Sequence, residues 1–265
     1  MATLVCFHAH PDDESIGTAG VMAAAAAAGH RVVLVVATLG EEGEVPDGFL
    51  GEDETLPDRR EAETRASAQI LGAARVEFLG YRDSGMVGTS TNQHPDAFCQ
   101  ADVEEAAGKL AAILRDESAG VLTVYDENGV YGHPDHVQVH RVGVRAGELA
   151  GISRVLESTM NRDHLRSLAA QAREDEAELG AVDAPDVDEM QLGVPADRIT
   201  TCVDVTAHVE RKRASMRAHG SQISEQSFFL AMPDDAFTRS FGYEWYIRRG
   251  VPVPVEAYED SVFGE

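Results

Sequence analysis

No stretch of the 265-residue chain approaches the roughly 18–20 consecutive apolar residues that a membrane span needs. Its start also lacks a basic segment leading into a cleavable apolar one, since Leu4-Val5-Cys6-Phe7 follows almost at once. No secretory signal is read there, and a cytoplasmic location is expected. Cysteine is scarce: Cys6, Cys99 and Cys202 are odd in number and widely spaced. That spacing fits neither a disulfide framework nor a Cys-x-x-Cys metal knuckle, and leaves free thiols. Positive charge is short too, with 22 basic residues against 46 acidic and a net charge of −24. Such a surface repels nucleic acid and anionic membranes, so neither is expected as a partner. Finally, no Gly-x-Gly-x-x-Gly follows the first apolar run. This counts against a dinucleotide-binding, non-catalytic module.

The apolar fraction of 43% is enough for a substantial core. Thr3 to Phe7 reads as a strand, Ser15 to Ala28 as an alanine-rich helix, and Arg31 to Thr38 as a strand covered on both faces. Gly40 to Pro57 is a long acidic loop, and Asp58 is expected to cap a helix ending at Leu71-Gly72. Strands at Arg75–Leu79, Val121–Tyr125 and Arg154–Ser158 alternate with helices at Asp102–Glu117 and Asp135–Leu149. This alternation predicts an α/β, Rossmann-like three-layer fold with a mostly parallel sheet. The chain reads as one domain over 1–265, with a core at about 1–160. A helix followed by an exposed, variable acidic excursion is expected at 161–198, and a strand, a helix and an aromatic tail at 199–265, the tail packing near the site as a partial lid or edge.

Two polar clusters interrupt this pattern. Ala9-His10-Pro11-Asp12-Asp13-Glu14 follows the first strand, and Tyr131-Gly132-His133-Pro134-Asp135-His136 follows the fourth. One His-Pro-Asp reads as an ordinary helix start. Two of them, each at a strand end, are not accounted for by capping. Ligands of parallel sheets bind beyond the carboxyl ends of the strands, so both clusters are expected on one rim. His10, Asp13 and His136 supply three ligands for zinc, with iron also compatible, leaving a position for water. Asp12 is the candidate general base. His133 is a candidate protonated donor to an oxyanion, with Asp135 hydrogen-bonding it or orienting its neighbours, and Tyr131 a second donor or gate. Glu14 and Ser15 are read as helix-start chemistry.

At these residues the chain resembles the PIG-L (LmbE-like) family of zinc-dependent N-deacetylases. Both motifs are complete and in order, and Arg60-x-x-Glu63, Leu71-Gly72 and His219-x-Ser221-Gln222 look similar as well. Tyr81-Arg82-Asp83-Ser84-Gly85-Met86 and Asp126-Glu127-Asn128-Gly129-x-Tyr131-Gly132 look most like the actinobacterial mycothiol branch, although Val130 stands where a glycine is common. The resemblance implies zinc on His10, Asp13 and His136, Asp12 as base and His133 as its partner. It also implies sugar contacts from Asp83 and Met86, with Arg60 reaching the substrate. The expected function is metal-dependent removal of an acetyl group from an N-acetylglucosamine-type sugar, a small-molecule partner. Amidase action on a mycothiol conjugate and deacetylation of an antibiotic sugar are the alternatives. A homo-oligomer is compatible with the sequence.

Overall fold

A computed structural model describes residues 1–177 and 192–264. Its sheet has seven strands. β1 (Thr3–His8), β2 (Arg31–Val36), β3 (Arg75–Phe78), β4 (Val121–Tyr125) and β5 (Val155–Thr159) run parallel. β6 (Thr201–Asp204) and β7 (Tyr243–Arg248) join antiparallel, giving the order β3-β2-β1-β4-β5-β7-β6.

The strand sequences explain the layering. Side chains alternate across a strand, so Val5, Phe7, Val33 and Val35 enter one core and Leu4, Cys6, Val32 and Leu34 the other. Helices α4 (Val103–Asp116) and α6 (Pro134–Ala150) cover the first face through Leu110, Leu114, Val139 and Val142. Helices α2 (Ala19–Ala27) and α3 (Leu56–Leu71) cover the second through Met22, Ala23, Ala68 and Leu71. Each large apolar side chain buried this way contributes about 1.5–3 kcal/mol. Gly143 lets α6 lie directly on β4: a Cβ there would stand 2.2 Å from Val124 Cγ1.

Three expectations shift. The helix expected over Ser15–Ala28 is divided into α1 (Asp13–Gly17) and α2 at Thr18, whose φ is −138°. Thr18 Oγ1 bonds His8 Nε2 at 2.8 Å, and a fresh helix starts behind it. The amides of Gly20 and Val21 donate to the two oxygens of Glu244, at 2.8 and 2.9 Å. Thr55 rather than Asp58 caps α3, accepting from the Asp58 N–H. The aromatic tail is no lid over this stretch, because Tyr243–Arg248 is an inner strand. Glu244 explains why: it also pairs with Lys212 at 2.7 Å, both side chains being fully buried. That ion pair ties β7 to α8 (Val209–Ala218) and to the start of α2. Of the expected excursion at 161–198, residues 162–177 form helix α7 (Arg162–Ala177), and 178–191 lie outside the described residues.

From β1 the chain steps outward through β2 to β3, then returns to lay β4 on the other side of β1. The sheet therefore has its topological switch between β1 and β4, where a crevice opens beyond the strand ends. Both polar clusters leave the sheet at that point. Among the described residues no helix is long and apolar enough to cross a membrane.

Candidate active site

Beyond β1 the chain turns sharply into α1. Asp12 makes this turn at φ 97° and ψ −28°, a left-handed conformation that costs a non-glycine residue about 1–2 kcal/mol. Local bonds hold it. The Asp12 N–H donates to Glu14 Oε2 at 3.1 Å, and its carbonyl accepts from Ser15 N–H at 2.9 Å and Ser15 Oγ at 2.7 Å. The Asp12 carboxylate makes no cap bond to the helix and instead meets Arg60 Nη2 at 3.1 Å. Arg60 is buried; Nη2 also donates to the Pro11 carbonyl and Nη1 to the Gly40 carbonyl, while Nε has no hydrogen-bond partner among the described residues. Its guanidinium is thus taken up by the turn.

Asp13 sits between the two clusters. Its Oδ2 accepts from the His10 N–H at 2.8 Å and lies 3.5 Å from His10 Nδ1, while Oδ1 lies 3.4 Å from His136 Nε2. These gaps are long for charge-assisted hydrogen bonds. Each taken singly is close to the spacing of about 3.3 Å between two ligands of a tetrahedral zinc, the two contacts using different oxygens of Asp13.

The second cluster is built on a strained turn. The buried Asp126 carboxylate accepts from the N–H groups of Asn128 and Val130 and from Thr159 Oγ1. The single turn α5 (Gly129–Gly132) follows, with Val130 at φ 67° and ψ −51°. Gly129 cannot carry a side chain, since a Cβ would meet His136 Cβ at 2.5 Å. His133 then caps α6, its Nδ1 accepting from the Asp135 N–H at 3.1 Å. A neutral His133 therefore carries its proton on Nε2. Burial and the neighbouring His10 and His136 lower its pKa to about 4. The charge of Asp135 acts the other way and raises it. The Asp135 carboxylate is bonded elsewhere, to Ser84 N–H at 2.9 Å, to Ser84 Oγ and to His10 Nε2 at 3.2 Å. With Nε2 so engaged, His10 Nδ1 faces Asp13.

Around His10 the charge is lopsided. Asp83 Oδ1 is 3.3 Å from His10 Nε2, so three carboxylates converge on one imidazole. Burial opposes charge on His10, yet its hydrogen bonds to Asp13, Asp135 and Asp83 hold its pKa well above the ordinary value. Burial lifts the Asp12 carboxyl to about 6 against the pull of Arg60. The surplus of negative charge suits a divalent cation, and nitrogen and carboxylate donors suit zinc or iron. Ligand atoms of His10, His133 and His136 lie within 4.8 Å of one another, as do those of His10, Asp83 and Asp135. His136 Nδ1 is buried without a hydrogen-bond partner among the described residues, its ring stacked on Tyr125 at 4.5 Å. Tyr131 is 43% exposed with its hydroxyl 3.4 Å from His136 Nε2, and Met86 is 53% exposed. Asp83 is buried, and accepts from the Gly85 and Glu42 N–H groups.

Sequence reasoning missed four participants. Ser84 fixes Asp135 and Tyr125 stacks on His136. Glu14 and His219 share a buried 2.6 Å bond. Ser84 lay in a stretch noted only for its resemblance and Tyr125 adjoins another, but nothing in their spacing reveals a role. His219 lay in a motif noted only for its resemblance.

Known proteins share this arrangement of sequence and fold. Residues 5–147 match the family model PIG-L, described as GlcNAc-PI de-N-acetylase. A 1D-myo-inositol 2-acetamido-2-deoxy-alpha-D-glucopyranoside deacetylase of Acidothermus cellulolyticus is 43% identical, over 98% of this chain and 94% of its own length. A protein of the same description from Geodermatophilus obscurus is 39% identical, over 98% and 96%. Among solved structures, a conserved protein from Thermus thermophilus shares the fold, with a TM-score of 0.57, 22% identity and 97% of both chains covered. The chain thus belongs to the PIG-L family, and its two His-Pro-Asp clusters lie within the matched segment.

Proposed function

We propose that the protein is a zinc-dependent hydrolase that removes the acetyl group from the glucosamine amine of N-acetylglucosaminyl-inositol. The observation that carries this reading is the place of Asp13, at ligand-like separations from both His10 Nδ1 and His136 Nε2. The full-length likeness to deacetylases described for that sugar supports it. His10, Asp13 and His136 would hold the ion, which when bound supplies Lewis-acid activation of a water and of the amide carbonyl.

The remaining steps belong to side chains of the chain. Asp12, freed from capping and with its carboxyl near 6, takes the proton of the attacking water. His133 donates from Nε2–H to the oxyanion that develops on the amide carbonyl, and the Tyr131 hydroxyl adds a second donor. Asp12 returns its proton to the departing amine. Asp135 holds His10 through Nε2, the carboxylate–histidine arrangement that fixes a metal ligand. Asp83, which reaches His10, and the exposed Met86 are the residues assigned to contact the sugar. Arg60 supports Asp12.

Free-amine release from a panel tests the reading. With zinc-loaded protein, N-acetylglucosaminyl-inositol is expected to turn over faster than N-acetylglucosamine and than a thiol conjugate of mycothiol type. Preference for the thiol conjugate would replace deacetylase by amidase, and no amine release from any of them would overturn hydrolysis.

A further inference from the structure

The His219-x-Ser221-Gln222 motif has no part in the reaction as derived above, and His219 is fully buried. It follows the last turn of α8, 205 residues from Glu14 in sequence. His219 Nε2 meets Glu14 Oε1 at 2.6 Å, and neither side chain has measurable exposure. The same oxygen accepts from Ser67 Oγ, which is 2.7 Å from Ser215 Oγ of α8. The other oxygen, Oε2, accepts the N–H of Asp12. Among the described residues His219 Nδ1 has no hydrogen-bond partner. A buried polar atom left unpaired is costly, so the ring's position is set by what Nε2 does.

These bonds end on the backbone of Asp12, the residue in the left-handed turn. A strained conformation persists only where its surroundings over-determine it. Three donors converge on the Glu14 carboxylate, which fixes the oxygen that holds the Asp12 N–H. The neighbouring motif residues work on the same region: Ser221 N–H and Oγ donate to Glu63 of α3, and Gln222 Nε2 donates to the Glu44 carbonyl.

We infer that His219 is a positioning residue for the hydrolytic reaction, acting through Glu14 to keep Asp12 in the left-handed turn that aims its carboxylate into the site. The inference rests on the assignment of Asp12 as base. In steady-state kinetics on N-acetylglucosaminyl-inositol, His219→Ala is expected to lower kcat on the order of 100-fold, the scale of a small misplacement. KM and zinc content should stay as in the parent. His219→Gln, whose amide can again donate to Glu14, is expected to recover kcat to within roughly ten-fold of the parent.

A role confined to stability would lower the melting temperature of His219→Ala and leave the kcat of folded protein unchanged, which would overturn the inference. Should the alanine variant not fold, Glu14→Gln carries the test. Its amide offers one acceptor oxygen to three donors, so kcat should fall about ten-fold with KM and zinc unchanged, and an unchanged kcat contradicts the inference. Crystal structures separate this from the substrate assignment. Asp12 should be left-handed in the parent and leave that region in His219→Ala, whichever sugar the parent hydrolyses. A left-handed Asp12 retained in His219→Ala would overturn the inference even if the parent is an active deacetylase.

Discussion

Asp135 Oδ2 and His10 Nε2 stand 3.2 Å apart across the switch between β1 and β4, joining residues 125 positions apart in sequence. Asp135 is completely buried and takes two donors from Ser84, so the carboxylate cannot swing away from the imidazole. The bond settles which nitrogen of His10 faces Asp13, and so gives Asp135 a different task from His133. Asp135→Ala is expected to weaken zinc binding by about 10–100-fold, the usual effect of removing a ligand's orienting partner. His133→Ala should leave zinc affinity within about three-fold while kcat falls roughly 100-fold or more, the scale of a lost oxyanion donor. Competition with a chelator, alongside turnover, measures both. Equal loss of zinc in the two variants would favour His133 as a ligand.

Arg60 offers a second separation. A residue that binds substrate raises KM when removed, whereas one that supports a base lowers kcat. Arg60 is 4% exposed and donates to Asp12, Pro11 and Gly40. Arg60→Ala is therefore expected to lower kcat by about ten-fold or more with KM changed less than about three-fold. The reverse pattern in initial-rate measurements would restore the substrate contact expected from the sequence.

Metal removal should be felt in stability as well as activity. A ligand that binds the folded chain alone adds about 2.7 kcal/mol at 100 times its dissociation constant. For a domain of this size that raises the melting temperature by roughly 5–10 °C. Chelated protein should lose turnover and this increment together, and added zinc should return both. Asp13→Ala should show no zinc-dependent rise in calorimetry.

Far from the site, Glu117 accepts from Arg75 Nη1 at 2.8 Å and from the Arg31 guanidinium, linking β2, β3 and the end of α4. Hydrogen bonds from Arg31 lower its pKa from 4.5 to about 2, with burial opposing and Arg75 assisting. The folded state therefore binds the Glu117 proton less readily than the unfolded chain. Its contribution is present above pH 4.5 and is lost as pH falls through about 2. Glu117→Gln should melt below the parent at neutral pH, and the gap should close on acidification across that window.

Much of this architecture was legible because it rests on local pattern. The valine-rich run at Arg31–Val36 and the apolar runs at Thr3–His8 and Val121–Tyr125 form strands buried on both faces. Their alternation with helices put both His-Pro-Asp clusters on one rim. What escaped depends on partners distant in sequence. Thr18 ends α1 because His8 and Glu244 wait for it and for the amides behind it, and Tyr243–Arg248 enters the sheet because Glu244 finds Lys212. His30 stacks on Phe263 at 4.0 Å near the other end of the chain. In the same way Asp135 passes over its neighbour His133 for His10 and Ser84, and Glu14 exceeds its expected helix-start role by meeting His219. No spacing rule carries those pairings, since each is a contact between separate elements.

The central claim is that Asp12 activates water beside a metal held by His10, Asp13 and His136. Asp12→Asn tests it most directly, because asparagine tolerates the left-handed turn and keeps the side chain's size. Zinc content and turnover of N-acetylglucosaminyl-inositol should be measured on the same preparation. The account predicts parental zinc with kcat lowered by roughly 100- to 10,000-fold, the range of a lost general base. Turnover near the parental rate, with zinc bound, would contradict it.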